Sequence, residues 1–228
     1  AFSSGIAELW SADTNGGNRK QLTTGGGINM RPSVTADGLY VVYMALRAGL
    51  PHVWRMDIDG GNARQLTSGP TGEVSPTVSH DGKSVVFQSR DDLKIWKVPI
   101  DGGALAKIND NLSDQPSISP DGKLVVCYYR EEQAQPFKIG IFSLADGSLS
   151  KSFDPPTQAR IFEGRSLGWS KDGRLVLSII SLNGVSNIWA QPVDGGPPRV
   201  LTNFQSDQIF DFDWSASDGS LLMARGTV

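Results

Sequence analysis

The chain has 228 residues, of which 39% are hydrophobic, and this is enough apolar sequence to bury the core of one large domain. Its formal net charge is −3, from 21 basic and 24 acidic residues, so it lacks the basic excess typical of nucleic-acid binding. The sequence contains no apolar run of about 18 residues, which excludes a predicted membrane-spanning helix, and its first residues predict no targeting segment.

Taken in chain order, the predicted elements are repeated strands and turns. The chain opens with ELWSADTNGGNRKQLT, which has the form of two strands joined by a Gly-rich turn. Four longer units follow, beginning at Met30, Val74, Asp114 and Arg165, and the chain closes with FDFDWSASDGSLLMARG, the front half of such a unit. Self-similarity of this kind is the sequence signature of a repeat architecture.

Each unit contains four strand-like runs, here called strands A to D. Strand A is short (Pro116–Ser119), strand B is β-branched (Ser84–Phe87), strand C carries an aromatic residue, and strand D ends in Gln-Leu-Thr or a similar sequence. An Asp-Gly turn joins A to B, and a second Gly-rich turn joins C to D. Two strand runs joined by Asp-Gly predict a hairpin, because that turn needs residues that tolerate a positive φ. The A–B turns recur every 40 to 51 residues, at Asp37, Asp81, Asp121, Asp172 and Asp218.

This spacing indicates an all-β fold, a β-propeller of four-stranded antiparallel blades. The complementary half-units predict five blades, with Ser220–Arg225 pairing beside Glu8–Ala12; a fragment of a six- or seven-bladed propeller is the alternative. We therefore expect a single propeller domain (or propeller fragment) over residues 1–228. Its blade units are 1–23 (half), 30–67, 74–109, 114–153, 165–202 and 210–228 (half), with an insertion between Asp154 and Gly164.

The repeated turn resembles that of TolB-type, WD-like propellers, in which Ser-Pro-Asp-Gly-Lys precedes an apolar strand, an aromatic strand and Asp-Gly-Gly. Ser119–Lys123 matches this pattern fully, and Ser79–Lys83 differs only at His80. The resemblance implies a recognition or sensor module that is extracytoplasmic, periplasmic or on the outer cell surface, with a protein or peptide partner or a small ligand. The chain also resembles the sensor propellers of bacterial signalling proteins, and this resemblance implies fusion to a kinase or a winged-helix regulator.

Residues that would carry chemistry are scarce. His52 and His80 are the two histidines, Cys127 is the one cysteine, and they are dispersed along the sequence. This spacing predicts neither a nucleophile with its base nor a zinc site. We therefore expect no enzyme activity, no cofactor and no metal, with Cys127 buried and Asp57–Gly61 a hairpin turn rather than a calcium loop.

A binding site is predicted where strand D of one unit connects to strand A of the next. The A–B turns are alike, as scaffolding should be, whereas the D–A connections differ in length and composition, and variable loops on a rigid frame commonly carry binding sites. The residues expected at this face, around the mouth of a central channel, are Asn29, Arg31, Glu73, Ser75, Asp114, Gln115, Arg165, Ser166, Asp211 and Asp213. Phe162, Phe204 and Phe210 are expected to add apolar surface there.

Two other functions remain open from the sequence. One is a propeller enzyme, a lyase or a glycoside hydrolase, because Asp211 and Asp213 lie two apart on a strand and so point the same way. The other is the gating propeller of a prolyl-oligopeptidase-like peptidase, whose hydrolase domain this sequence does not contain.

Overall fold

The fold consists of antiparallel β-sheets in two compact units, Ala1–Asp110 and Asn111–Val228. The computed structural model describes residues 7–25, 27–47, 49–155, 166–214 and 220–227. All regular secondary structure in these residues is β-strand. The expectation of an all-β propeller with antiparallel blades is therefore confirmed.

The first unit contains a two-stranded sheet and two complete blades. The small sheet pairs β1 (Trp10–Ser11) with β2 (Lys20–Gln21). The first blade has the order β3 (Ile28–Val34), β4 (Tyr40–Arg47), β5 (Leu50–Asp57) and β6 (Arg64–Gln65). The second has β7 (Glu73–Val78), β8 (Ser84–Ser89), β9 (Ile95–Pro99) and β10 (Ala106–Lys107).

The second unit contains two complete blades and then a two-stranded sheet. The third blade has β11 (Leu112–Ile118), β12 (Leu124–Arg130), β13 (Lys138–Ser143) and β14 (Leu149–Phe153). The fourth has β15 (Leu167–Trp169), β16 (Leu175–Leu182), β17 (Val185–Pro192) and β18 (Arg199–Val200). The last sheet pairs β19 (Gln208–Trp214) with β20 (Leu221–Gly226).

The prediction of five blades is wrong for the described residues, which form four complete blades. The predicted composite blade is also absent from them, because β1 pairs with β2, β20 pairs with β19, and each pair is a separate two-stranded sheet. Strands C and D at one end of the sequence and strands A and B at the other are complementary as patterns. Such complementarity does not by itself provide backbone hydrogen bonds between them.

The core is built mainly from strand B. Val42, Val86, Val126 and Leu177 occupy the same place in strand B of the four blades, and all have 0% exposure. In the first unit Val42 packs with Val85 and Phe87 of the next blade. In the second unit Leu177 packs with Ile209 and Phe212 of β19. The predicted burial of Cys127, at 0% exposure, is confirmed, and this burial raises its pKa to about 12.

The A–B turns are held by one repeated set of hydrogen bonds. In the third blade the Ser119 hydroxyl donates to Asp121 Oδ1 (2.6 Å) and accepts from the Leu124 N–H (2.9 Å). Asp121 Oδ1 also accepts from the Lys123 N–H (3.1 Å). The same bonds join Thr35 to Asp37, Ser79 to Asp81 and Ser170 to Asp172. This arrangement explains why Ser or Thr stands two residues before the turn Asp.

The turn hydrogen bonds also lower the pKa values of these carboxyl groups. For Asp121 the bond from the Ser119 hydroxyl is the largest cause of the lowered pKa. A carboxyl whose pKa is lower in the folded chain stabilises it above the unfolded pKa, and that contribution is lost as pH falls through the folded pKa.

We predict that Ser119→Ala raises the pKa of Asp121 toward 3.8, its unperturbed value. Loss of the hydroxyl should also lower the free energy of unfolding near neutral pH by about 1 kcal/mol. Carboxyl NMR titration and urea unfolding measure the two effects. Ser150→Ala, an exposed serine of β14, is the control and should leave both unchanged. An unchanged Asp121 pKa in Ser119→Ala would contradict this account of the turn.

Candidate functional site

The sequence-predicted site residues that the structure describes lie in strand A or directly before it, with Asp213 near the far end of β19. Asn29 and Arg31 belong to β3, Glu73 and Ser75 to β7, Asp114 and Gln115 to β11, and Asp211 and Asp213 to β19. Ser166 directly precedes β15, whereas Arg165 and Phe162 lie outside the described residues. Strand A begins earlier than the sequence predicted, at Leu112 rather than at Pro116 in the third blade, so most of these residues lie within strand A.

Strand A of each of the first three blades contains a β-bulge. The register of pairing with strand B shifts between Met30 and Ser33, between Val74 and Thr77 and between Asp114 and Ser117. Inside each bulge one residue before a proline has a positive φ: 56° at Arg31, 55° at Ser75 and 54° at Gln115. Left-handed backbone is uncommon for residues other than Gly, and such strain is often stored at functional sites.

In the first unit the bulge residues are hydrogen-bonded to each other. Arg31 Nη1 of the first blade donates to Ser75 Oγ of the second over 2.8 Å. Ser75 is buried, and Arg31 is half-buried. The Arg31 side chain therefore joins two neighbouring blades at the start of their strands A.

The second unit has an equivalent contact without charge. Gln115 Oε1 of the third blade accepts hydrogen bonds from the Ser166 backbone N–H (3.0 Å) and from its hydroxyl (2.6 Å). Both residues are buried, with Ser166 at 0% exposure. The residue type at this position differs from blade to blade. In these two pairs, the difference reflects the partner that each side chain has on the neighbouring blade.

Three acidic members of the predicted site, Asp114, Asp211 and Asp213, are more accessible. Asp211 and Asp213 are exposed, and they pair with Ala224 and Leu222 on β20, so they share one face of the last sheet. Asp114 is half-buried, and its Oδ1 accepts from the Gln115 N–H over 2.7 Å. Phe210 is 37% exposed beside Asp211, and Phe204 is half-buried.

A buried carboxylate in the second blade forms a cluster that sequence reasoning missed. Glu73 is 2% exposed, and its Oε2 lies 2.8 Å from His52 Nδ1 and accepts from the Thr67 hydroxyl. Its Oε1 accepts from the Gly69 N–H over 2.7 Å. A Cβ atom at Gly69 would lie 2.2 Å from this oxygen, so a larger residue there would require the Glu73 carboxylate to move.

This cluster is one form of a repeated contact, here called the threonine latch, formed by the last Thr of strand D. Thr67 Oγ1 also accepts from the Val53 N–H, and Thr23 and Thr202 bind the N–H groups of Leu9 and Ile188 in the same way. Each Thr hydroxyl then donates to a side chain nearby. The acceptors are Glu8 for Thr23, Glu73 for Thr67 and Asn187 for Thr202. The latch accounts for the Leu-Thr that ends the repeated units, which was the one sequence signal for it.

The His52–Glu73 pair can be compared with the equivalent residues of the other latches to distinguish a catalytic role from a structural one. His52 is half-buried, and its Nδ1 lies 2.8 Å from the Glu73 carboxylate. An imidazole oriented by a buried carboxylate is also the arrangement of a general base. Glu8 and Asn187 occupy the place of His52 in other latches, which favours a structural role for the cluster. The described residues contain no group of three or more His, Cys, Asp or Glu that could hold a metal ion.

Comparison with known proteins gives a family and several similar folds. The model of the TolB beta propeller domain matches residues 2–154. The chain is 31% identical over 120 residues to Tricorn protease homolog 1 of Streptomyces coelicolor, and this match covers 50% of the chain and 10% of that protein. The chain thus spans about one-tenth of the length of this curated relative.

Among solved structures, the fold is similar to TolB from Acinetobacter baumannii, with a TM-score of 0.69 and 18% identity over 96% of this chain and 57% of that one. A putative TolB from Agrobacterium tumefaciens gives 0.66 and 19%, over 90% of this chain and 83% of that one. An oligogalacturonate lyase in complex with manganese gives 0.64 and 16%, over 97% and 66%. At these identities the likeness establishes the fold alone.

We predict that Glu73→Gln destabilises the chain by about 2 kcal/mol, because a buried acceptor that serves Thr67 and the Gly69 N–H is replaced by an amide that also carries donors. Urea unfolding measures the free energy of unfolding. Glu132→Gln, at an exposed position, should change it by less than about 0.5 kcal/mol. Equal stability of the two variants would show that the latch is not what holds Glu73 in place.

Proposed function

Because the chain belongs to the TolB β-propeller family, we propose that it is a non-enzymatic recognition or sensor module that binds a protein or peptide partner. The binding surface is the end of the blades at which strand D connects to strand A. The observation that carries this proposal is the difference between the two ends of each blade. The proposal is made for each compact unit separately.

The A–B turns offer a partner little that is specific. Their hydroxyl and carboxylate groups are already bonded to one another and to backbone N–H groups, in the same way in each of the four blades. At the other end the side chains differ from blade to blade, and the backbone carries the positive φ values of the bulges. A surface with varied side chains on a rigid frame suits specific recognition.

The accessible part of this end defines the contacts we propose. In the second unit they are Asp211 and the neighbouring ring of Phe210, together with Asp213, which lies on the same face of β19 nearer the A–B turn; all three are exposed. Two carboxylates beside an aromatic ring are complementary to a basic peptide segment with an apolar residue. In the first unit the contact is Arg31, which remains half-buried between its blades.

Placement outside the cytoplasm is part of the proposal and rests on the family resemblance. Within the described residues no helix is both long enough and apolar enough to cross a bilayer. Fusion to a kinase or to a winged-helix regulator belongs to the same proposal, in which the propeller senses and the fused domain responds. A fragment of a propeller with more blades is compatible with the two separate two-stranded sheets.

The test uses peptides selected on the chain from a random dodecapeptide phage library. We expect Asp213→Asn to weaken the affinity of selected peptides by about tenfold, because a charged anchor is lost while the side chain keeps its shape. Its melting temperature should change little, because the residue is exposed. Arg31→Ala should weaken binding in the first unit and also lower the melting temperature, since its bond to Ser75 is lost.

The matched control is Asp194→Asn, an exposed aspartate in the C–D turn of the fourth blade. It should bind selected peptides normally. The proposal fails if Asp213→Asn and Arg31→Ala both bind them as the unchanged chain does. It also fails if the loss of binding follows only the fraction of unfolded protein.

An enzyme of the lyase or glycoside hydrolase class is the second candidate. Two observations favour it: the His52–Glu73 pair and the similar fold of an oligogalacturonate lyase. If the leading proposal is right, incubation of the chain with polygalacturonate, with or without Mn²⁺, gives no rise in ultraviolet absorbance from an unsaturated product. A rise that His52→Gln abolishes would favour the enzyme instead.

A gating propeller of a peptidase is the third candidate, and the match to Tricorn protease homolog 1 favours it. That match covers 50% of this chain and 10% of the relative, so in this proposal the peptidase activity would belong to a part of the protein outside this sequence.

A further inference from the structure

Two Asn-Gly pairs occur in the chain, and the structure holds them in different ways. They are Asn15–Gly16, in the turn between β1 and β2, and Asn183–Gly184, in the turn between β16 and β17. Both asparagines are exposed. In such a pair the main-chain nitrogen of the glycine can attack the side-chain amide of the asparagine, because glycine has no side chain to hinder the approach. A difference in reactivity between the two pairs would therefore come mainly from the fold.

The turn at Asn183 leaves both reacting groups without hydrogen bonds. Residues 183–184 alone join β16 to β17, and Leu182 pairs with Val185 on either side of them. The φ angle is 52° at Asn183 and 83° at Gly184, as a two-residue hairpin turn requires. Among the described residues, neither the Asn183 side-chain amide nor the Gly184 N–H has a hydrogen-bond partner. The main chain at this exposed tip can therefore rotate toward attack without breaking a bond of either group.

The turn at Asn15 holds the corresponding groups in place. The Gly16 N–H, which would have to attack, donates to the Asp13 carbonyl oxygen over 2.8 Å. Asn15 Oδ1 accepts from the Gly17 N–H over 2.9 Å. The turn is closed further by Asn18, whose Nδ2 donates to Asp13 Oδ2. The attacking nitrogen and the amide under attack are thus both fixed.

The bond that holds Asn15 is a general feature of the C–D turns. Asp59 in the first blade accepts from the Gly61 N–H over 2.8 Å, and Asp194 in the fourth accepts from the Gly196 N–H over 3.1 Å. Asn15 takes the same place with the same bond. Its protection therefore follows from the type of turn in which it lies.

We propose that Asn183 is a site of spontaneous deamidation in the folded chain and that Asn15 is protected from it. The Gly184 nitrogen forms a bond to Asn183 Cγ, its proton passes to hydroxide, and the side-chain nitrogen leaves as ammonia. Water then opens the cyclic imide at one carbonyl to give aspartate or at the other to give isoaspartate. In sum, asparagine and water become an acidic residue and ammonia.

The modification changes the end of the fourth blade at which β18 connects to β19. The Ser186 N–H donates to the Asp207 carbonyl oxygen over 3.1 Å, so the hairpin is joined to that connection. Aspartate in place of Asn183 adds a negative charge there. Isoaspartate also adds a main-chain carbon to a turn whose geometry suits two residues. Deamidation itself does not depend on the partner binding proposed above.

The experiment is peptide mapping by mass spectrometry of the full chain after incubation at mildly alkaline pH. It follows the mass gained when an amide becomes a carboxyl group, in the peptides that contain Asn15 and Asn183. Because two hydrogen bonds must break before Asn15 reacts, we expect Asn183 to deamidate about tenfold faster. The same incubation in urea is the control. The unfolded chain should lose both amides at similar rates, since the turns are then absent.

A matched pair of variants tests whether the turn bonds protect Asn15. Asn18→Gly removes the bond to Asp13 and keeps a residue that tolerates the positive φ of this position. It should speed deamidation of Asn15 in the folded chain and leave that of Asn183 unchanged. Asn62→Gly removes the equivalent bond to Asp57 in the first blade and should change neither rate.

The proposal is overturned if Asn15 deamidates as fast as Asn183 in the folded chain. It is also overturned if Asn183 keeps its amide in the folded chain but loses it in urea. An unchanged rate at Asn15 in Asn18→Gly overturns it as well, because the hydrogen bonds of the turn would then not be what protects this residue.

Discussion

The structure depends on the burial of strand B on both of its faces. In each of the four complete blades this strand is apolar at consecutive positions, as at Val125 and Val126, which are both 0% exposed. A sheet with two apolar faces cannot be stable in water by itself and must be covered by a neighbour on each side. The repeat is thus a physical requirement of the fold, and the turns and latches serve to hold each blade in register while its faces are covered.

The two ends of a blade meet that requirement differently. At the A–B end the Ser or Thr hydroxyl and the Asp carboxylate form hydrogen bonds within the turn. The same residue types therefore fix the turn in each of the four complete blades. At the other end the side chains join neighbouring blades, as Arg31 joins Ser75 and Gln115 joins Ser166. Residues there can differ because they need to match a neighbour rather than a fixed turn geometry. Asp211 and Asp213 of the last sheet are exposed.

Much of the fold could be predicted from sequence, because Asp-Gly turns and β-branched runs are local signals. The site could be predicted less well, since it depends on contacts between distant residues. Gln115 and Ser166 were both predicted as site residues from their positions where strand D connects to strand A. Their mutual hydrogen bond and their burial follow from packing between blades. Glu73 was expected at a channel mouth, and its bond to His52 depends on side-chain positions that no spacing rule gives.

The last sheet has a consequence for how stability is distributed along the chain. Leu222 is 56% exposed, although its counterparts Val42, Val86, Val126 and Leu177 are fully buried. The β19–β20 pair is therefore packed on one face only, through Ile209 and Phe212. Local opening requires little free energy where few apolar contacts are broken. The amide hydrogens of β20 should accordingly exchange with solvent far sooner than those of β16, because this pair can open while the four blades stay folded.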